Sequence, residues 1–473
     1  MGIFDGRKLS EWAKAGQARA HAAAQAEDPA ARKERIRRRQ TIVVVGSLVF
    51  STLYVAGFWL NQMFCSPLEL YHRTWATTAK YFYDRQVFQE KKWLALEHKY
   101  DARIKNEADA EKYIAVILKT LDDPFTSFFN AADTARQGDA HDGFYSGVGM
   151  VMNSKTHPIS VRRVMPGSPA LSAGVKTGDL ILSVDGIDCS RIEAVKIGEH
   201  TREHMYHPVR FLMERAGRKL DLVMIPSKIP VASTVCKILP NNIGYERIEG
   251  FVRNDLPKFV DRDFKKLKDC RALILDLRGN GGGGVDLCLD IVSTMLDSGP
   301  LVSLRSRTAD GDYMTDRYIL TKKDMTVEES RDGRPNTSTH RKRLENVWGQ
   351  KPMLVLVDDS SASAAEMVAA ALSDNGRAAL VGERTYGKGI AQLYFRMPQA
   401  TTLSVTAGRY FTPSGKWPGD GKELNDAQRQ TPAGKLRGIM PRYEVKALKD
   451  LEYGTANDNQ LQYAINLLEG EMK

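Results

Sequence analysis

Three serines in the C-terminal third of the chain stand where a nucleophile could be activated. Ser360, Ser361 and Ser363 follow the apolar run 351–358 and precede a helical pattern that begins near Ala364. A serine at such a junction lies close to the free N–H groups and the positive end of a helix, and both stabilise a negative oxygen. Serine is also a common helix N-cap without any catalytic role, so this placement alone does not identify a nucleophile.

A lysine downstream of these serines could act as their general base. Lys388 is flanked by two glycines and precedes Gln392 by four residues, so the two side chains share a face of either a strand or a helix. A lysine accepts a proton only when it is neutral, and its reference pKa is about 10.4. Burial lowers the pKa of a lysine, so the role of base requires that Lys388 be partly removed from water.

A glycine-rich loop is the third feature that could do chemistry. The segment 276–284 (DLRGNGGGG) follows an apolar run and ends in four consecutive glycines, whose N–H groups are open to a ligand. One interpretation is an oxyanion hole, in which such groups stabilise a negative oxygen. A phosphate-binding loop is not supported, because the Gly-Lys-Ser/Thr ending is absent. For the loop taken alone, a flexible turn remains the simpler alternative.

The elements that must position these residues indicate a mixed α/β fold. The runs 270–278 and 351–358 are short and apolar, as expected for buried strands of a mixed sheet. Residues 66–135 carry apolar side chains at helical spacing and predict a helical N-terminal segment. Residues 307–350 are polar with little periodicity, which favours a long surface insertion in a core that spans 228–473.

Residues 142–227 predict a separate β-rich module. Four glycines separate short elements in its first half, and the order and length of these elements resemble a PDZ domain closely. In that family the backbone N–H groups of a loop hold the terminal carboxylate of a peptide, which pairs with the edge of the sheet. Gly147, Val148 and Gly149 match this loop, so the resemblance implies peptide binding there. A β-rich domain without a ligand is the alternative.

The composition excludes several classes of protein. The chain has 473 residues, of which 42% are hydrophobic and 27% charged, and its mean hydropathy is -0.37. These values exclude a wholly disordered chain, a collagen-like chain and a polytopic membrane protein. Five cysteines that fall singly exclude a disulfide scaffold and do not indicate a cysteine zinc site. Half of the net charge of +10 lies in residues 1–40 and the other half is spread over the rest of the chain, so no nucleic-acid partner is predicted.

An uncharged apolar stretch near the N-terminus predicts a membrane anchor. Residues 41–60 are twenty in number, which is the length that a helix needs to cross a bilayer, and a basic run precedes them. The positive-inside rule then puts residues 1–40 in the cytoplasm. The prediction is a single-pass protein of the inner (cytoplasmic) membrane, with its catalytic part on the extracytoplasmic, periplasmic side. A cleaved signal peptide fits less well, because no A-x-A site follows.

One motif suggests a metalloprotease. His200, Glu203 and His204 fit the HxxEH pattern, in which two histidines one helical turn apart bind zinc. The motif falls inside the PDZ-like segment, and its surroundings favour a solvated helix or strand face. No metal site is predicted from it.

In this order, the pieces resemble the C-terminal processing peptidases, also called tail-specific proteases, from about residue 70 to the end. The motifs that carry the resemblance are DDPFTSFF, IGYERIEGF, DLRGNGGGG, SASAAE around Ser363, TYGKG around Lys388, and GIMPRYEV. The resemblance implies an α/β (α+β) protease core with a mixed sheet, interrupted by the PDZ domain. With the N-terminal helical segment and one transmembrane helix, this is the predicted fold class.

The family also implies roles for individual residues. Ser363 would be the nucleophile, Lys388 its general base and Gln392 the residue that orients the lysine. The oxyanion hole would come from the backbone N–H groups of Ala364 and Gly282. Neither a metal nor another cofactor is implied.

This sequence departs from the family pattern at four positions. Asp358 stands where Asn is usual, Ser360 where Gly is frequent, Ala365 where Ser is common, and Arg442 where Asp is usual. Asp358 places a carboxylate near the site, which could change the pKa of Lys388 in either direction.

The function predicted from the sequence is a membrane-anchored serine endopeptidase. It would recognise the C-terminal tails of extracytoplasmic proteins through its PDZ domain and cleave them through an acyl-enzyme. The alternative is a catalytically silent, membrane-tethered PDZ adaptor that binds protein C-termini. The predicted partners are protein or peptide substrates with free C-termini, and the membrane through residues 41–60. A homo-oligomer or a regulatory partner stays open.

Overall fold

A computed structural model describes residues 65–86, 92–153, 157–231, 233–419, 437–448 and 451–471. Apart from Cys65 and Ser66, these residues belong to a single compact unit. Its α-helices are α1 Pro67–Tyr81, α2 Glu107–Lys119, α3 Ala131–His141, α4 Pro169–Ser172, α5 Ala194–Glu203, α6 Leu256–Leu267, α7 Val285–Ser293, α8 Ala364–Asp374 and α9 Asn459–Glu471.

The strands form three larger sheets and one short pair. In chain order they are β1 Ser127–Phe129, β2 Phe144–Gly147, β3 Met150–Asn153, β4 Ile159–Val164, β5 Leu180–Val184, β6 Ile187–Asp188, β7 Val209–Arg215, β8 Arg218–Met224, β9 Ser227–Pro230, β10 Thr234–Leu239, β11 Ile243–Ile248, β12 Ala272–Asp276, β13 Gly299–Arg307, β14 Tyr313–Leu320, β15 Asp324–Arg331, β16 Arg334–Lys342, β17 Met353–Val357, β18 Ala379–Gly382, β19 Ile390–Arg396, β20 Thr402–Phe411 and β21 Tyr443–Glu444.

The core sheet has the order β10-β11-β12-β17-β18-β21, and all its pairs except β10 with β11 are parallel. Strands β12 and β17 are buried along their whole length, which explains their continuous apolar sequences. One face packs on α6, α7 and α8, and the other face packs on α9. Because β12 and β17 are parallel neighbours, the glycine-rich loop after β12 and the serine turn after β17 begin at the same edge of the sheet.

A second sheet, of order β1-β20-β13-β14-β15-β16 with β19 beside β20, holds the lysine and the polar segment. The segment predicted as a surface insertion, 307–350, contains the three antiparallel strands β14, β15 and β16. Such strands can leave most of their side chains in water, so their sequence shows little apolar periodicity. Leu320 and Met325 are among the few side chains that anchor this ladder in the core.

The PDZ-like module is a third sheet, of order β3-β4-β5-β7-β8 with β6 beside β5. Its own apolar core includes Ile159, Ile181, Val209 and Phe211. The pair β2 and β9 closes the module where the chain enters and leaves it. The module is therefore an insertion with a separate core.

The predicted transmembrane helix requires a correction. The longest α-helix in the described ranges, α1, has 15 residues, whereas a spanning helix needs about 20 apolar ones. None of the described helices is long and apolar enough to cross a bilayer. Residues 41–60 themselves lie outside the described residues. On this finding, the transmembrane part of the predicted fold class and the single-pass membrane location were wrong.

Candidate active site

Ser363 occupies a sharp turn between β17 and α8. It is the N-cap of α8, and its backbone has φ 54° and ψ -115°. A residue with a side chain rarely adopts a positive φ, and such strained positions cluster at functional sites. A serine on a strained strand-to-helix turn is the arrangement that exposes a nucleophile at the end of a sheet.

The structure separates the roles of the three serines. Ser361 is buried, and its hydroxyl donates to the carbonyl oxygen of Leu277 at 2.8 Å and accepts from the N–H of Asp358 at 3.0 Å. Ser360 is exposed, with its hydroxyl 3.2 Å from Asp359. Ser361 therefore ties the turn to the glycine-rich loop, and Ser363 is the serine at the helix start.

Asp358, one of the departures from the family pattern, has a structural role. Its carboxylate accepts hydrogen bonds from the N–H groups of Gly279 (2.9 Å) and Ser360 (3.1 Å) and from the hydroxyl of Tyr453 (2.7 Å). These bonds join the serine turn to the glycine-rich loop. The carboxylates that act on the pKa of Lys388 are those of Asp123 and Glu366 instead.

Lys388 is partly buried beside Gln392. Its Nζ donates to Oε1 of Gln392 at 2.9 Å and lies 4.4 Å from the centre of the Phe125 ring. Burial lowers the pKa of Lys388, and the charges of Asp123 and Glu366 oppose this effect without cancelling it. A lysine with a lowered pKa is the kind that can accept a proton.

Two hydrogen bonds hold the amide nitrogen of Gln392. Its Nε2 donates to the carbonyl oxygen of Phe125 at 2.9 Å and to the hydroxyl of Ser404 at 2.7 Å. The register of β19 and β20 shifts at Gln392, and such bulges redirect side chains. Two acceptors on Nε2 leave the amide oxygen directed at Lys388.

The DDPFTSFF turn supplies one of these acceptors. The carboxylate of Asp123 accepts from the N–H groups of Phe125 and Thr126, at 3.2 and 3.1 Å, and from the hydroxyl of Thr126 at 2.6 Å. The Asp and Thr of this motif therefore shape the turn that carries Phe125. Phe125 contacts the Lys388 ammonium with its ring and Gln392 with its carbonyl.

Glu366 connects the serine and the lysine, and sequence reasoning gave it no role. One oxygen, Oε2, accepts from the N–H groups of both Ser363 (2.8 Å) and Lys388 (2.9 Å). This shared acceptor holds the backbones of the two residues close together. The other oxygen accepts from the N–H of Gly387 at 2.8 Å and the hydroxyl of Thr385 at 2.6 Å. The available signal was the Ser-x-x-Glu spacing of a capping box.

Replacing Glu366 with glutamine should reduce kcat by about 10- to 100-fold, because an amide N–H₂ would face the donors of Ser363 or of Gly387, and small misplacements are costly. Folding should weaken by about 1–3 kcal/mol. Kinetics and urea unfolding would measure both effects. Glu246 is a matched control, since it is also fully buried and burial raises its pKa to about 9. Glu246→Gln should keep kcat, and an equal loss in the two variants would contradict a positioning role for Glu366.

The glycine-rich loop lies directly against the serine turn. A Cβ added to Gly282 would stand 2.7 Å from the carbonyl oxygen of Ala362, 2.8 Å from Cβ of Ser363 and 2.9 Å from the N atom of Ala364. The loop is held by Asn280, whose Oδ1 accepts from the N–H of Gly282 at 2.9 Å. The amide of Gly282 is thus engaged in this conformation, and its oxyanion role stays a prediction.

Replacing Gly282 with alanine should reduce kcat by about 100-fold, because the new Cβ would displace the turn that carries Ser363. The positive φ of Gly282, 99°, adds backbone strain. The neighbouring Gly281 offers the matched control, because a Cβ there would meet no atom within 4 Å. Steady-state assays of both variants would test this, and equal activity of the two would show that the Gly282 contact does not matter.

Among the described residues, the loop of Gly147, Val148 and Gly149 makes no hydrogen bond to the serine turn. Gly147 ends β2, and Val148 and Gly149 connect it to β3. The carbonyl oxygen of Val148 accepts from the N–H of Ala170, and that of Gly149 accepts from the N–H of Met165, both at 2.9 Å. Within the described part of the chain, the N–H groups of Val148 and Gly149 have no acceptor.

Comparison with known proteins identifies the family of the chain. Residues 242–426 match the model of "Peptidase family S41", and residues 160–215 match that of the "PDZ domain". A "Carboxyl-terminal-processing protease" of Synechocystis sp. is 28% identical over 449 residues, which cover 90% of this chain and 93% of the relative. The "Carboxy-terminal processing protease CtpA" of Bacillus subtilis is 27% identical over 64% of this chain and 59% of its own length.

A solved structure resembles the fold. The "Photosystem II D1 C-terminal processing protease" superposes with a TM-score of 0.53 and 22% identity, over 80% of this chain and 93% of its own. The two family models and the named relatives agree. The chain therefore belongs to the C-terminal processing proteases of peptidase family S41, serine-type endopeptidases, and carries a PDZ domain.

Proposed function

We propose that this protease cleaves polypeptides with a Ser363–Lys388 pair and selects them by their C-terminal tails. One observation carries the proposal: the Glu366 carboxylate binds the backbone of both residues, while Gln392 binds the Lys388 amine. This arrangement supports a nucleophile and a base held together in one rigid frame.

In the proposed mechanism, neutral Lys388 takes the proton of the Ser363 hydroxyl as its oxygen attacks the scissile carbonyl. The N–H of Ala364, at the positive end of α8, stabilises the oxyanion, together with the N–H of Gly282, which must first exchange its bond to Asn280 for one to the substrate. Lys388 then gives its proton to the leaving amine, and an acyl-enzyme remains on Ser363. A water molecule, deprotonated by Lys388, hydrolyses the acyl-enzyme.

The rate should rise with pH through the pKa of Lys388. The protonated lysine cannot act as base, so kcat/KM is lower below that pKa and reaches a plateau above it. Because burial lowers this pKa, the midpoint should lie below the reference value of about 10.4. A pH profile of kcat/KM with an uncharged substrate measures it. A pH-independent rate from pH 5 to 10 would contradict the role of Lys388.

We also propose that the module 142–227 captures the substrate tail, while 66–135 and 228–473 form the protease. The unengaged N–H groups of Val148 and Gly149, in a loop that begins at Gly147, can donate hydrogen bonds to a terminal carboxylate.

The test uses the full chain and a fluorescent peptide with an apolar C-terminus, either free or amidated. We expect cleavage of the free form, weaker cleavage of the amidated form, and complete loss with Ser363→Ala, which should still bind the peptide. Equal cleavage of both forms would refute tail recognition. Binding without turnover by the wild type would favour the silent adaptor instead.

A further inference from the structure

The HxxEH motif, which the proteolytic site does not use, forms a compact cluster on the PDZ module. His200 lies in α5 and His204 directly follows it, and Asp185 lies in the turn between β5 and β6. One ligand atom from each of the three residues lies within 4.8 Å of the others. The two imidazole rings are 4.4 Å apart, and Nε2 of His200 is 2.7 Å from Oδ2 of Asp185.

The hydrogen bonds around the cluster prepare it for a cation. Nδ1 of His204 lies 2.8 Å from the carbonyl oxygen of His200, which can only accept, so Nδ1 carries the proton. Nε2 of His204 then keeps its lone pair. A ring N–H bound to a backbone carbonyl is the usual outer contact of a metal-binding histidine.

The carboxylate is fixed in the same way. Oδ1 of Asp185 accepts from the N–H of Arg210 at 2.8 Å, which leaves Oδ2 directed at His200. Asp185 has φ 48° and Gly186 φ 79°, as in a tight hairpin turn, so the backbone as well as the hydrogen bond holds the carboxylate against α5.

We propose that Asp185, His200 and His204 bind a zinc-class divalent cation that fastens the end of α5 to the β5–β6 turn. Two imidazoles and one carboxylate suit Zn²⁺, with water as the fourth ligand, and do not suit Mg²⁺ or Ca²⁺. Ligands of a tetrahedral Zn²⁺ lie about 3.4 Å apart, so small side-chain rotations complete the site. Glu203 is exposed and is not a ligand. The metal is structural, and proteolysis does not pass through it.

The cluster is connected to the loop of Gly147, Val148 and Gly149 through helix α5. Helix α5 packs against β2, the strand that leads into the loop of Gly147, Val148 and Gly149. A cation that fastens α5 therefore stabilises one neighbour of that loop.

The test is a titration of the metal-free full chain with Zn²⁺, followed by calorimetry and thermal unfolding. We expect binding that raises the unfolding temperature, and a loss of at least about 10-fold in affinity in His200→Ala and in His204→Ala. Asp185→Asn, which keeps the size of the side chain, guards against misfolding and should also weaken binding. Mg²⁺ should not compete.

Two controls make the assignment specific. His207 is exposed and lies outside the cluster, so His207→Ala should bind Zn²⁺ as the wild type does. A second cluster, of His72, His98 and Asp101, could bind Zn²⁺ independently, and His72→Ala separates its contribution. Titrations that do not differ between the wild type and a His200→Ala/His204→Ala double variant would overturn the proposal.

Discussion

Replacing Lys388 with methionine is expected to reduce kcat for peptide cleavage by about 10²- to 10⁴-fold, the range that general-base catalysis contributes. Methionine keeps the length and the apolar stem of the side chain but cannot accept a proton. The fold should persist, because burial already works against the ammonium and lowers its pKa. Kinetics and a thermal unfolding curve on the same sample separate loss of catalysis from loss of structure.

A second lysine provides the control for this prediction. Lys416 is also partly buried, burial lowers its pKa, and its Nζ donates to the carbonyl oxygen of Gly438 at 2.7 Å. Gln392 does not contact it. Lys416→Met should therefore keep kcat within about tenfold of the wild type, well short of the loss expected for a general base. If Lys388→Met stays as active as Lys416→Met, the proposed base is wrong.

The core of the fold could be predicted from the sequence because its strands have an unambiguous pattern. Strands β12 and β17 are buried on both faces, so they are uninterrupted apolar runs, and the residues that follow them meet at one edge. The β14–β16 ladder could not be predicted in the same way. The side chains of β16 are largely exposed and those of β14 and β15 are mostly only partly buried, and the pairing partners that define the ladder are not visible in local composition.

The site could be predicted only as far as its separate motifs. Ser363, Lys388 and Gln392 stand in short recognisable segments, but the bonds that join them are between distant parts of the chain. Gln392 meets Phe125 across 267 positions, and Glu366 reaches Lys388 across 22. Such contacts depend on the register of β19 and β20, which no local spacing specifies.

The glycine-rich loop rests on a buried ionic network, which leads to the second large effect. Arg278 has no exposed surface, and its guanidinium donates five hydrogen bonds: two to Asp276, two to Asp458 and one to Gln460. The hydroxyl of Tyr245 donates a further bond to Asp276 at 2.7 Å. The network joins β12, which leads into the loop, to the start of α9.

Replacing Arg278 with methionine should destabilise the protein by about 3–5 kcal/mol, because it leaves the carboxylates of Asp276 and Asp458 buried without their cation. Urea unfolding in a Ser363→Ala background, which avoids self-digestion, measures the change. Arg331 is the matched control, since it also pairs with two aspartates, Asp310 and Asp312, but at the surface. Arg331→Met should cost far less, because water screens exposed pairs.

The loss in Arg278→Met should also depend on pH. Burial alone would raise the pKa of Asp458, but the hydrogen bonds and charge of Arg278 outweigh it, so this pKa lies below its usual range. A carboxyl with a lowered pKa in the folded state contributes stability above its unfolded pKa of about 3.9, and that contribution disappears as the pH falls through the folded value.

Without Arg278, Asp458 can be protonated at a higher pH. The difference in unfolding free energy between wild type and variant should therefore be largest near pH 7 and shrink toward pH 4. A difference that is constant over this range would mean that packing, rather than the buried charges, makes Arg278 important.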